Sequence, residues 1–328
     1  MKKSFFLLIF LVITLVLSAC KPSAQNEPLR QVTLNLTYIP NVQFAPFYVG
    51  IEKGFFAEAG LDVKLAYGNE ADMVALVGAG KEQFMIASGE QVLMSRAQGL
   101  PVVSIANWYS DYPVGVVALK YANIQSPADL KGKQIGLPGL FGASYIGFEA
   151  LARSAKLSDN DYSLNSIGFT QVESLVTGQV DAVVVYVANE PVQLRARGYE
   201  VDVLRVADAV DLVGNCLVTN EKTIADEPDF VKAMAQAVVK SIQYAVENPE
   251  EAFELCRKHV ENLNQLSPDE LEIQRQVMLS SIAIWQTEPL DHAEQFQKWQ
   301  NMQNLLIDLG LLNATMDIEG AFSDAFDR

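Results

Sequence analysis

The sequence predicts an α/β fold built on mostly parallel sheets, and three observations carry that prediction. Short apolar strands alternate with helical stretches from Val32 to Val206, the order that builds strand–helix–strand units. Several strands run straight into helix-opening turns, as at Ser88-Gly89-Glu90 and at Gly139 to Ser144. The chain has 328 residues, 50% hydrophobic and 20% charged, enough for one large or two medium domains of about 100–200 residues each.

The elements follow in order. Residues 32–36 alternate in polarity like a half-buried strand. The loop through Tyr38, Ile39, Pro40 and Asn41 leads into a short helix over 45–54 that stops at a glycine. Strands are expected over 63–66, 84–87 and 102–106, with helices over 72–79 and behind Ser88 to residue 98. A second series of strands follows over 115–119, 134–137, 166–169, 182–186 and 201–206, with helices over 141–155 and 171–177. Ser126 and Pro127 read as the cap and first residue of a turn of helix. From Asp229 the pattern is helical, over 230–247, 249–262, 268–284 and 294–309, and Trp285 and Trp299 fall at its apolar positions as core.

The first twenty residues read as an address. Lys2 and Lys3 precede an apolar run from Phe5 to Leu17, the length of a secretory signal and too short to span a bilayer. Leu17-Ser18-Ala19-Cys20 resembles the bacterial lipobox, so residues 1–19 are expected to be a lipoprotein signal peptide and Cys20 the acylated new N-terminus. Acyl chains insert at about 0.8 kcal/mol per buried CH₂, and more than one makes the anchor durable. Residues 20–29 read as a polar tether. The expected location is the extracytoplasmic face of the cell membrane, with the protein held there by its lipid.

Composition excludes several function classes. Forty acidic against 24 basic side chains give a net charge of −16, the wrong sign for general nucleic-acid binding. Three cysteines (Cys20, Cys216, Cys256) and two histidines (His259, His292) are too scattered for a zinc site or a disulfide framework. There is no Gly-x-Ser-x-Gly, phosphate-loop or dinucleotide fingerprint, and no Ser–His or Cys–His pairing suggests itself. No catalytic residue, metal or cofactor is expected. A binding protein is the reading, rather than an enzyme.

In open α/β sheets, ligands sit where strands give way to helices at their carboxyl ends. Tyr38, Asn41, Trp108 and Tyr109 follow strands of the first series and form a candidate stacking set for a flat heterocycle, worth about 1–3 kcal/mol per ring; plain packing is the competing reading. Asn69 and Glu70 follow the second strand, and Ser88 and Glu90 the third, where a cap and a ligand contact look alike. Gly142, Ser144 and Tyr145 open a helix whose free N–H groups take a phosphate, sulfonate, carbonyl or hydroxyl. Tyr186, Asn189 and Glu190 end an apolar strand and suit polyol hydroxyls or ring N–H groups. Asn215 stands near the return to the first series.

Four segments together carry a resemblance. They are residues 46–63 (PFYVGIEKGFFAEAGLDV), 80–90 (GKEQFMIASGE), 126–133 (SPADLKGK) and 178–182 (GQVDA). The chain resembles the solute-binding components of bacterial ATP-driven importers, in the subgroup named after sulfonate-binding and thiamine-pyrimidine proteins. Residues 38–46 (YIPNVQFAP) and 136–145 (GLPGLFGASY) are similar to riboflavin-binding members or their aminopyrimidine-binding relatives. The resemblance implies a periplasmic binding protein fold of type II: lobe 1 over 30–117 and 214–328, lobe 2 over 118–213, and a ligand in the cleft between them. It implies capture of riboflavin, with an aminopyrimidine or a sulfonate as alternatives, for an ABC permease and its ATPase. Some eukaryotic relatives of the fold are pyrimidine synthases with a cysteine-rich motif, which this chain lacks.

Overall fold

The computed structural model describes residues 28–285, 288 and 290–326. Cys20, the signal segment and most of the tether lie outside them. Ten strands form two five-stranded sheets. The first contains β1 (Arg30–Thr37), β2 (Leu61–Gly68), β3 (Phe84–Ser88), β4 (Val102–Asn107) and β10 (Asn215–Asn220), in the order β2-β1-β3-β10-β4. The second contains β5 (Val114–Leu119), β6 (Gln134–Leu137), β7 (Ser163–Ser166), β8 (Ala182–Tyr186) and β9 (Val201–Arg205), in the order β7-β6-β8-β5-β9.

Four strands of each sheet point one way and one points back. β10 is antiparallel to both β3 and β4, and β5 to both β8 and β9; the other pairs are parallel. Each reversed strand is the first after the chain changes sheet. Continuous apolar stretches such as Ala182-Val183-Val184-Val185 suit strands covered on both faces, and all four are buried.

The strands are joined by α1 (Ala45–Glu52), α2 (Phe55–Glu58), α3 (Glu70–Gly78) and α4 (Gly89–Ala97) in the first unit, and by α5 (Gly142–Ser154), α6 (Gln171–Val176) and α7 (Glu190–Ala196) in the second. The C-terminal part supplies α8 (Glu221–Asp226), α9 (Pro228–Glu247), α10 (Pro249–Cys256), α11 (Pro268–Ile282) and α12 (His292–Asp308). Helix α9 buries Phe230, Val231, Met234, Val238 and Ile242 on one face and lies on α1. Helix α12 buries Trp299 completely and packs on α4. Chain direction reverses from lobe 2 into these helices, so they return to the first sheet and complete lobe 1.

Several sequence expectations are corrected. The lobe boundary at 117/118 moves to 108–113, because the whole of β5 hydrogen-bonds to β8 and β9. The strand expected over 166–169 is Ser163–Ser166, set by its parallel register with β6. The chain then turns at Gly168, whose φ is +59°. The helix expected to run to residue 262 stops at Cys256. Strand β10 and helices α7 and α8 are additional to the sequence reading. Where the crossovers meet, a Cβ on Gly214 would sit 2.8 Å from the Asp111 carbonyl oxygen, so only glycine lets the two connections run side by side.

Candidate functional site

Strand direction explains which residues converge. The carboxyl ends of β1, β2, β3 and β4 deliver Tyr38, Glu70, Ser88 and Trp108, and the reversed β10 brings its first residue, Asn215, to the same edge. Ser88 is the register partner of Asn215, and the Trp108 and Tyr109 N–H groups both donate to the Asn215 carbonyl oxygen, at 2.9 and 3.2 Å. From the second sheet, β6 leads to Gly142–Tyr145, and β8 ends in Tyr186 ahead of Asn189 and Glu190.

The polar centre is built on two acids. The backbone N–H and hydroxyl of Ser88 donate to Glu70 Oε1 at 2.6 and 2.8 Å. Glu90 is 1% exposed; burial, with the Glu70 charge beside it, pushes its carboxyl up to about 7. Burial raises Glu70 as well. The Tyr112 hydroxyl lies 3.2 Å from Glu90 Oε2 and 3.0 Å from the Ala143 carbonyl oxygen in the first turn of α5. A phenol has one proton and a backbone carbonyl only accepts, so both contacts are satisfied together when Glu90 is protonated and donates. Tyr112 thereby connects the floor of lobe 1 to the helix start of lobe 2.

Across the gap, the Tyr186 ring meets Tyr109 edge-on at 6.5 Å, and its hydroxyl is held far from ionising by burial, Glu70 and Glu90, with Asn215 as partner. Burial lifts Glu190 to about 7; it accepts from the Tyr186 N–H at 3.2 Å and from the Asn189 side chain at 3.4 Å. Three buried polar atoms in this region have no protein partner: Glu90 Oε1, Asn215 Oδ1 and Trp108 Nε1. Leaving such a group unpaired costs about 1–3 kcal/mol, so a ligand that pairs with them recovers part of that cost.

The aromatic set divides. Trp108 stacks on Phe44 at 5.5 Å, meets Phe47 edge-on at 5.1 Å and lies 4.5 Å from Tyr109. It is 3% exposed, and a ligand ring reaches its faces only after those rings move. Tyr109 is equally buried, its hydroxyl beside Trp285 and Gln43. Tyr38 is open, 38% exposed with φ +77°, and its ring meets Phe169 of lobe 2 at 4.8 Å, edge to face.

Other candidates are engaged locally. The Asn69 side chain accepts from the Ala71 and Asp72 N–H groups and caps α3. Asn41 accepts from the Gln43 N–H and donates to the Ile39 carbonyl. Gly142, Ser144 and Tyr145 are half-buried at the start of α5, which has no side-chain cap, and Gly142 has φ +67°. Tyr112, Phe169, Gln43 and Trp285 join the site without having been singled out as contacts. Phe169 ends a predicted strand and stands three residues beyond the observed one, and Tyr112 follows the predicted strand 102–106, the one signal that would have found them. Among the described residues no group of three or more His, Cys, Asp or Glu is placed to hold a metal ion, and no helix is long and apolar enough to cross a membrane.

Comparisons with known proteins bear on the family and the fold. The family model described as NMT1/THI5 like matches residues 41–252. The riboflavin-binding protein RibY of Chloroflexus aurantiacus is 35% identical over 94% of this chain and 89% of its own. A formylaminopyrimidine-binding protein of Halalkalibacterium halodurans is 29% identical, covering 80% of this chain and 81% of its own. A 4-amino-5-hydroxymethyl-2-methylpyrimidine phosphate synthase of Legionella pneumophila is 30% identical over 69% and 72%. The crystal structure of the periplasmic aliphatic sulphonate binding protein SsuA from Escherichia coli superposes with a TM-score of 0.72 at 13% identity, covering 90% of this chain and 92% of that one. The last likeness shows the fold: two lobes of the periplasmic binding protein type.

Proposed function

The chain belongs to the NMT1/THI5-like family of solute-binding proteins, and on that premise we propose that it captures riboflavin for an ABC importer while tethered to the membrane through Cys20. The observation that carries the ligand class is the response of three carboxyl groups to their surroundings. Glu70, Glu90 and Glu190 are all raised by burial, so the site penalises negative charge. Acidic side chains gathered at the strand ends, Glu70 and Glu90 in lobe 1 and Glu190 in lobe 2, repel an anion such as a sulfonate. The site suits a neutral molecule rich in hydroxyl and N–H donors, and riboflavin and aminopyrimidines both qualify. The riboflavin-binding relative matches more of this chain at higher identity, which favours the vitamin. The aminopyrimidine reading is supported by the same carboxyl groups, which accept from exocyclic amines.

Capture works by closing the lobes. Tyr38 meets Phe169 across the lobes, and Tyr109 and Tyr112 on the crossover meet Tyr186 and the Ala143 carbonyl of lobe 2. A ligand that touches both walls shifts the population toward the closed form, which the permease reads. Binding, not turnover, is the activity. Titrating ligand-stripped protein with riboflavin should quench flavin fluorescence in a saturable way and raise the melting temperature, with the vitamin recovered unchanged. If riboflavin and aminopyrimidines both leave the melting temperature where it was, the vitamin reading fails.

A further inference from the structure

The cleft is polar inside and apolar at its mouth. Among the described residues, several of the large apolar side chains open to solvent stand on loops that follow strands: Ile39 at 57%, Leu140 at 54%, Phe141 at 71% and Phe169 at 66% exposure, beside the partly exposed Tyr38. Ile39 follows β1, Leu140 and Phe141 follow β6, and Phe169 follows β7. Strands β6 and β7 are paired neighbours, and their loops stay together beyond the ladder: the Ile167 N–H donates to the Leu137 carbonyl at 3.0 Å, and the Ser166 hydroxyl to the Pro138 carbonyl at 3.3 Å. Tyr38 reaches Phe169 from the opposite lobe. Scattered exposed apolar residues need no explanation, but contiguous ones mark a surface that something covers.

We propose that Phe169, with Ile39, Leu140 and Phe141, forms an apolar rim that grips the apolar end of the ligand and so selects molecules that enter polar end first. The inference rests on the vitamin-capture reading and adds residues and an orientation to it. Continuity with the polar interior supports this occupant. Tyr38 belongs to both regions: its ring touches Phe169, and burial together with the charge of Glu190 disfavours ionisation of its hydroxyl. The unpaired Glu90 Oε1 and Asn215 Oδ1 deeper in are acceptors, which await ligand donors. A flavin matches this polarity, with hydroxyl and N–H donors on one part and a dimethylbenzene ring on another. The ring edge lies against Tyr38 and Phe169, in the offset or edge-on geometry that aromatic pairs favour.

The test compares the full chain with Phe169→Ala and with the double variant Leu140→Ser/Phe141→Ser, by calorimetry with two probes. One probe is riboflavin; the other is 5-amino-6-ribitylaminouracil, which keeps the polar part and lacks the dimethylbenzene ring. These side chains are exposed, so both variants should fold, and unchanged circular dichroism verifies it. The expected result is riboflavin binding weakened about tenfold while the truncated probe changes less than about twofold. Two results would overturn the rim: equal weakening of both probes, and unchanged riboflavin affinity, which together with lost uptake would hand the surface to the transporter. Wild-type protein that binds neither probe would sink the vitamin reading itself, a distinct outcome.

Discussion

Replacing Glu90 by Gln tests the proton assignment at the centre of the site. The amide is nearly isosteric with a protonated carboxyl and also donates to Tyr112, whose hydroxyl then continues to the Ala143 carbonyl. The two proteins therefore differ only where Glu90 ionises. In the fold its carboxyl is raised from 4.5 to about 7. A raised acid contributes its stability below the unfolded value and loses it as pH climbs through the folded one. The wild type should thus lose stability between about pH 4.5 and 7 and level off above. At about 1.4 kcal/mol per pH unit, the variant should gain about 2–3 kcal/mol on the wild type between pH 5 and pH 8. Urea denaturation of both proteins at these two values measures it. A stability difference that stays flat with pH would show that Glu90 is ionised throughout, and the Glu90–Tyr112–Ala143 connection would need another source for its second proton.

Trp299→Ala removes the largest fully buried side chain and should cost about 3–5 kcal/mol in urea unfolding, without touching the candidate site. Gly142→Val should cost about 1–2 kcal/mol although the space around it is open, because the backbone there is left-handed; Gly142→Ala should cost nearly as much, and a harmless alanine would mean the loop relaxes. Cys20→Ser should abolish incorporation of labelled palmitate, and label retained on that variant would remove the proposed anchor.

What could be read from the sequence was whatever depends on neighbours along the chain. Strand–helix alternation placed β1 through β6 and the strand-end residues Tyr38, Glu70, Ser88, Glu90, Tyr186 and Glu190, because chain direction alone decides which end of a parallel strand turns into a helix. Partners distant in sequence were not legible. Trp108 reads from the sequence as a strand-end stacking candidate and Trp285 as helix core, and nothing local told that Phe44 and Phe47 would cover the first. Strand β10 is six residues long and waits for β3 and β4, more than 100 positions upstream. The boundary at 117 missed for the same reason: Val114 belongs to lobe 2 through Tyr186, its register partner. Tyr112 sits in a crossover, outside any periodic pattern.

The reversed strand β10 has a consequence for how the molecule can be divided. Cys216 pairs with Asn107, so the chain leaves the first sheet and re-enters it on adjacent antiparallel strands. Everything between is an insertion with neighbouring ends, and a short turn across that gap would convert β4 and β10 into an ordinary hairpin. The lobe containing β5 to β9 is correspondingly one uninterrupted stretch, transplantable as a cassette. Half of the cleft wall, Gly142 through Glu190, travels with that cassette, while Glu70, Ser88 and Glu90 stay behind. Exchanging it between relatives would recombine two half-sites, provided the apolar layer in which Val92 and Leu93 share a core with Ile146 and Phe148 is kept complementary.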